Sequence, residues 1–170
     1  MNGFATERLL YRTFELEDLD RLAYISADAA TSRYVGDGQP LSRELTRQWI
    51  ENSRENVARF GYGTGAVVLR QTGELIGWSG IARPEEGGEE ILYGLYREFW
   101  GQGLGTELLA GLLGWAWQTL NLAELRATVH RDNEASIRML ERAGFALADD
   151  CYDNDPSTRL YISLPPERMV

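Results

Sequence analysis

The fold is decided by residues 90–120, which read EILYGLYREFWGQGLGTELLAGLLGWAWQTL. Residues 91–96 are almost entirely apolar, which is typical of a β-strand that is buried on both faces. Apolar residues then recur at three- and four-residue spacing from Leu108 to Leu120, which predicts a helix with one broad face against a core. A glycine-rich turn, from Trp100 to Gly105, separates the two. The stretch therefore predicts a strand, a turn and a long helix.

The glycines of this turn leave room for a ligand to approach the main chain. The N–H groups of residues 102–106 precede the first helical hydrogen bonds, and the helix dipole favours negative charge beside them. A dinucleotide-binding turn that starts at Gly101 would need a third glycine where Thr106 stands, and a P-loop would need a lysine. We therefore predict a phosphate site of another kind. A purely structural strand-to-helix turn is the alternative.

Length and composition are those of one globular domain, and we predict that residues 1–170 form it. The net charge of -9 argues against nucleic acid or an anionic membrane as a partner. It would suit a cationic acceptor such as an amine, and ordinary solubility is the alternative explanation. Cys151 is the single cysteine, so neither an intrachain disulfide nor a cysteine zinc cluster can form. With no signal segment or membrane span in the sequence, we expect a cytoplasmic monomer or homodimer without a metal site.

Further elements are predicted on both sides of the central stretch. We expect strands at residues 9–14, 65–70, 75–82, 125–130, 145–149 and 158–164, helices at residues 15–25, 42–59 and 133–143, and a polar hairpin loop at residues 85–89. A strand, a crossover helix and a strand in that order imply a parallel pair. The predicted fold class is α+β, with three α/β layers, about four helices and a mixed, mostly antiparallel sheet of six to seven strands around a central parallel pair.

The glycine turn resembles the acyl-CoA pyrophosphate loop of the GNAT N-acetyltransferases. That family's first motif is Arg/Gln-x-x-Gly-x-Gly/Ala, and Gly103 and Gly105 match its glycines, whereas Trp100 replaces its first residue. The run Trp-Gly-x-Gly-x-x-Thr-Glu at residues 100–107, together with Thr-Glu-Arg at residues 6–8, resembles the branch that contains the Rim-type acetyltransferases of ribosomal protein N-termini.

A second motif of the same family follows at the expected spacing. Its Asn-x-x-Ser pattern is matched by Asn133 and Ser136, and the Glu-Arg-Ala-Gly-Phe run by residues 141–145. Asn133 also suits the cap of a helix, which Gly144 would end. The resemblance covers residues 6–164, and it implies the GNAT fold.

The resemblance implies that acetyl-CoA is the co-substrate. In the family, amides of the glycine turn bind the diphosphate, and amides of the central strand and the motif asparagine hold the pantetheine arm. The cofactor-binding residues implied for this sequence are Leu95, Arg97, Gln102, Gly103, Leu104, Gly105, Thr106, Asn133 and Ser136.

Two residues are candidates for the chemistry of acetyl transfer. An amine attacks only when it is neutral, so a base or a path to water must take its proton. Glu90 resembles the glutamate that some relatives use through a water molecule, and a solvated hairpin charge is the alternative. In the family, the residue at the position of Ser136 lies close to the CoA sulfur, so the resemblance implies that Ser136 supplies a proton or a hydrogen bond to the departing thiolate. Many relatives carry a tyrosine four residues later, where this sequence has Leu140.

The acceptor contacts are predicted in the loop at residues 27–41, which should form one wall of the acceptor cleft with the helix at 42–59. Tyr34 and Asp37 are the candidates, and two ordinary loop residues are the alternative. We predict an acetyl-CoA-dependent N-acetyltransferase that acetylates a primary amine directly, either a protein N-terminus or a small molecule such as an aminoglycoside or a polyamine. The alternative function is a GNAT-fold sensor or docking module that binds acyl-CoA without turnover.

Overall fold

The computed structural model describes residues 3–82 and 88–166. Within them it has strands β1 (Phe4–Ala5), β2 (Leu9–Thr13), β3 (Thr64–Leu69), β4 (Leu75–Ala82), β5 (Glu90–Leu95), β6 (Leu125–His130), β7 (Ala146–Asp149) and β8 (Thr158–Ser163). The helices are α1 (Leu19–Ser26), α2 (Ala29–Ser32), α3 (Arg43–Phe60), α4 (Leu104–Gln118) and α5 (Glu134–Arg142). Residues 85–87 of the predicted hairpin loop lie outside the described ranges.

The strands form one mixed sheet in the order β1-β2-β3-β4-β5-β6-β8-β7. Neighbours are antiparallel except β5 and β6, so the predicted α+β fold with a central parallel pair is confirmed. The sequence predicts six to seven strands and about four helices, and the structure has β1 and α2 in addition. Both are short, at two and four residues, and a segment of that length shows no periodicity that a sequence can reveal.

The parallel pair holds together at one end only. Among the described residues, Glu90 and Arg126 are the one pair of facing Cα positions, and the Arg126 N–H donates to the Glu89 carbonyl at 2.9 Å. Each strand has six residues, so the remainder of β5, up to Leu95, runs unpaired on its β6 side. The sheet is therefore open at the C-terminal end of β5.

Helices cover the two faces of the sheet. The apolar face of α4 packs with Ile91 of β5, whereas α1 and α3 pack with Trp78 of β4 on the opposite face. Leu92 departs from the prediction that β5 is buried on both faces, since it is 36% exposed where α3 leaves the strand uncovered. Within the described ranges, no helix is both apolar enough and long enough to cross a bilayer.

Position 94 of β5 has no room for a side chain. Gly94 is the Cα partner of Trp78 on β4, and the indole ring lies directly against it. A Cβ atom built on Gly94 would overlap that ring. The indole ring of Trp78 therefore occupies the space that a side chain at position 94 would need, at the open end of the sheet.

Candidate active site

A cavity of about 760 Å³ lies at the open end of β5. Its walls come from Trp78 of β4, the end of β5, the turn before α4, one side of α5 along its length, and α2 with the residues that follow it. Tyr93 and Gly94 both line the cavity. Because neighbouring residues of a strand point to opposite faces, the cavity is reached from both sides of the sheet.

The turn before α4 directs main-chain amides at this cavity. Gly101 and Gly103 have φ angles of 73° and 77°, a left-handed conformation that glycine adopts without strain. Gly103 is the N-cap of α4, and no side chain caps the helix there. The N–H groups of the first turn thus have no helical acceptor, and Gly103, Gly105 and Thr106 line the cavity. Such a helix start binds anions.

An ion pair braces this turn against the start of β2. The Glu107 carboxylate accepts hydrogen bonds from the Thr6 hydroxyl and from Nε of Arg8, the latter at 2.7 Å. Nη1 of Arg8 donates to the Gln102 carbonyl at 3.0 Å. Burial raises the pKa of Glu107, but the hydrogen bonds from Thr6 and Arg8 outweigh it and leave that pKa below its usual value. The two sequence segments that resemble the Rim-type branch are therefore in direct contact.

The charge of the cavity differs from that of the chain. Three of its lining residues are arginines, Arg33, Arg138 and Arg142, and two are acids, Asp132 and Glu134. The described lining therefore carries a net charge of about +1, whereas the whole chain carries -9. The cavity suits an anionic ligand although the protein is acidic.

Two hydroxyl groups meet inside the cavity. The side-chain oxygens of Tyr93 and Ser136 lie 2.7 Å apart and share a hydrogen bond. Asn133 caps α5 by accepting a 3.4 Å hydrogen bond from the Ser136 N–H, which fixes the position of the Ser136 main chain. Burial raises the pKa of Tyr93, although the hydrogen bond to Ser136 acts in the opposite direction. Tyr93 therefore keeps its proton at neutral pH.

Sequence reasoning missed Tyr93 because a tyrosine in an apolar strand is normally a packing residue. The signal for it was indirect. Leu140 stands where many relatives have a tyrosine, which leaves Ser136 without that hydroxyl neighbour on its own helix. The structure supplies one from β5 instead.

The structure brings together six of the nine predicted cofactor residues. Those that line the cavity are Leu95, Gly103, Gly105, Thr106, Asn133 and Ser136. Leu104 is buried in the core. The Gln102 side chain donates to the Glu98 carbonyl at 3.3 Å, and the Arg97 guanidinium pairs with Asp28 at 3.1 Å. These three side chains face protein partners and not the cavity.

The predicted acceptor contacts and base are separated. Tyr34 lines the cavity, and its hydroxyl donates to the Asp132 carbonyl at 3.4 Å. Asp37 lies outside the described lining, and its carboxylate accepts the Gln39 N–H at 3.0 Å and closes a local turn. Glu90 also lies outside it, at the paired end of β5, where its carboxylate accepts a hydrogen bond from the Thr128 hydroxyl.

Comparison with known proteins places these features in a family context. The model of the family described as acetyltransferase (GNAT) domain matches residues 8–146. The chain is 29% identical over 147 residues to the uncharacterized N-acetyltransferase p20 of Bacillus licheniformis, a match that covers 85% of this chain and 83% of p20.

Solved structures share the whole architecture. An acetyltransferase from Agrobacterium tumefaciens C58 superposes with a TM-score of 0.82 at 29% identity, over 95% of this chain and 94% of its own. RimL, a ribosomal L7/L12 alpha-N-protein acetyltransferase solved with coenzyme A, superposes with a TM-score of 0.78, over 94% of this chain and 96% of its own. RimL is 19% identical, so this likeness shows the fold alone.

The brace on the glycine turn predicts a measurable loss of local stability. Replacing Glu107 with Gln should lower the free energy of unfolding by about 1 kcal/mol at pH 7, because a charged hydrogen-bond acceptor is lost. It should also speed amide hydrogen exchange at residues 107–110, the first amides of α4 that have helical acceptors, because the start of the helix would open more often. Since the folded-state pKa of Glu107 is lowered, the stabilisation is present above about pH 4.3 and is lost as the pH falls through the folded value.

Glu44→Gln is the matched control, because Glu44 is also an acidic residue in the first turn of a helix but is exposed. It should leave the exchange of residues 107–110 unchanged. Equal effects of the two substitutions would contradict the brace.

Proposed function

The chain belongs to the GNAT acetyltransferase family, and we propose that it transfers the acetyl group of acetyl-CoA directly to a primary amine. The observation that carries this proposal is the 760 Å³ cavity, in which main-chain amides, arginines and a hydroxyl pair line one space. The likeness to proteins named N-acetyltransferases supports an amine acceptor. RimL, solved with coenzyme A, supports the choice of co-substrate, and its description supports a protein N-terminus as one acceptor class.

The residues of the cavity fit the chemistry of acetyl-CoA. Its diphosphate would be held by the amides at the start of α4, and Arg33, Arg138 and Arg142 would offset the negative charge of the nucleotide. Leu95 and Asn133 would lie along the pantetheine arm, as the family resemblance implies. When bound, acetyl-CoA supplies an acetyl group that its thioester makes reactive toward amines.

The hydroxyl pair is our candidate for stabilising the leaving sulfur. A thiol has an ordinary pKa near 8.5, well below the raised pKa of Tyr93, so complete proton transfer from the tyrosine to a thiolate is uphill. Ser136 and Tyr93 would therefore act by hydrogen bonding. Each hydroxyl holds the other in place, so that one can donate outward while it accepts from its neighbour.

Proton removal and acceptor contact involve the remaining candidates. Glu90 lies on the same face of β5 as Leu92 and Gly94 but about 13 Å from Gly94, so its carboxylate would receive the amine proton only through a chain of several waters. Tyr34, which lines the cavity, remains the proposed acceptor contact. Asp37 would act only through the shape of the loop, since its carboxylate is bound within its own turn.

The decisive experiment follows free thiol release from acetyl-CoA with a panel of amines and peptides. Amine-dependent release is expected for at least one acceptor. Saturable binding of coenzyme A with no release for any acceptor would favour the non-catalytic binding module instead.

Gly105→Val should weaken the binding of coenzyme A at least tenfold. Position 105 lies within α4 and lines the cavity, so the new side chain would crowd the amides and contact Met139. Gly103 is less suitable for this test, since any side chain at its φ of 77° also strains the turn. Isothermal titration calorimetry with coenzyme A measures the change.

Gly114→Val is the control in the same helix. Apart from the adjacent residues and the backbone of α4 itself, no atom lies within 4 Å of a Cβ atom built at that position, and the cost of a β-branched residue within a helix is similar at both sites. Coenzyme A binding that is the same in both variants would rule out the loop assignment.

Tyr93→Phe and Ser136→Ala should each lower kcat by about tenfold to a hundredfold, while the KM for acetyl-CoA changes less than threefold. The double variant should lose little more than the worse single variant, because the two hydroxyls act as one unit. Steady-state thiol release measures these values.

Tyr96→Phe is the control for losing a tyrosine hydroxyl. Tyr96 follows β5 directly, but its hydroxyl contacts Tyr24 at 3.4 Å, and it lies outside the described lining of the cavity. An unchanged kcat in Tyr93→Phe, or losses that multiply in the double variant, would remove the pair from the mechanism.

A further inference from the structure

We infer that the acceptor is the N-terminus of a peptide or protein whose second and third residues are uncharged. A groove between α3 and the sheet would hold those two residues. This inference rests on the proposed function and names its substrate class. The groove has a volume of about 380 Å³, which is in the range of ligand-binding pockets. It lies between α3 and strands β3, β4 and β5.

The charged residues of α3 lie away from the groove. Seven of the eighteen residues of this helix are charged, and none of the seven lines the groove. The polar side chains that do line it from the exposed surface of α3 are three amides at four-residue spacing, Gln48, Asn52 and Asn56. A polyamine or an aminoglycoside carries several positive charges, which need carboxylate partners when they leave water. The described lining of the groove offers none.

The three amides are available to a ligand. Within the described ranges, no hydrogen bond joins the side chain of Gln48, Asn52 or Asn56 to another residue. Deeper polar groups are already paired, since Nε1 of Trp49 donates to the Thr64 hydroxyl at 3.2 Å and Ser53 shares a hydrogen bond with the same hydroxyl. A primary amide both donates and accepts, which matches the alternating N–H and C=O groups of an extended peptide.

The other side of the groove suits small apolar side chains. Ile81 and Leu92 line it from the strands, and Leu45 lines it from α3. Leu92 and Leu45 are 36% and 50% exposed, so they give the groove apolar surface that a ligand can cover. Amides on one wall and apolar carbons on the other bind a peptide main chain and its uncharged side chains together.

The groove meets the cavity on one face of β5. Leu92 lines the groove, and Gly94, two residues later on the same face, lines the cavity. Residues so spaced are about 7 Å apart, which is the length of about two extended residues. Trp49 of the groove and Trp78 of the cavity form the boundary, with ring centroids 5.6 Å apart. An amine that reaches Gly94 therefore leaves the second and third residues of its peptide beside α3.

Wild-type enzyme should prefer a peptide whose first three residues are uncharged. We expect kcat/KM for this peptide to be at least tenfold higher than kcat/KM for each of three comparison acceptors. These are the same peptide with lysine at positions two and three, spermidine and an aminoglycoside. Thiol release from acetyl-CoA is measured for each acceptor.

Asn52→Asp tests the groove itself. A carboxylate there should lower kcat/KM for the uncharged peptide at least fivefold and raise it for the lysine peptide, which shifts the ratio of the two by more than tenfold. Gln71→Glu is the control, because it adds the same charge in the exposed turn between β3 and β4. It should leave the ratio unchanged, and thermal melting shows that both variants are folded.

The outcomes separate this inference from the proposed function. If spermidine or the aminoglycoside is acetylated as well as the uncharged peptide, or if Asn52→Asp leaves the ratio unchanged, the groove is not the acceptor site although the enzyme is active. If no amine causes thiol release, the proposed function fails, and the inference fails with it.

Discussion

Two parallel strands that pair at one point and then part are the constraint on which the rest of this structure depends. The contact between Glu90 and Arg126 holds β5 and β6 together, and beyond it the sheet is open. Helix α4 crosses between these strands, so it must begin beside the opening. The left-handed glycines, the amides of the first turn and the start of α5 are all placed around that gap by this connection.

The brace from Arg8 to Glu107 shows how a distant segment supports the site. Its two residues are 99 positions apart in the chain, yet the guanidinium reaches both the first turn of α4 and the carbonyl of Gln102. A turn that presents unpaired amides to a ligand cannot use those amides to hold its own shape. The stabilisation has to come from outside, and the start of β2 provides it.

Much of this architecture could be predicted from the sequence, because the period of apolar residues changes from two to about 3.6 at the glycine turn. That change predicts β5, α4 and the parallel pair, and local backbone chemistry predicts the loop around Gly103. Contacts across elements are different. The phase of β5 places Tyr93 on a face but does not say that Ser136 will lie opposite it. Likewise, Asp37 has the chemistry of a ligand contact, and only its fold shows that the carboxylate closes a turn.

The close contact of Trp78 with Gly94 has a consequence for how this family member can diverge. The indole occupies the volume that any side chain at position 94 would need, so the two sites can change only in a fixed order. Trp78 must first be replaced by a smaller residue, which opens the boundary between the groove and the cavity. Only then can position 94 accept a side chain. The pair is thus epistatic, and laboratory evolution toward bulkier acceptors would have to replace Trp78 before it could replace Gly94.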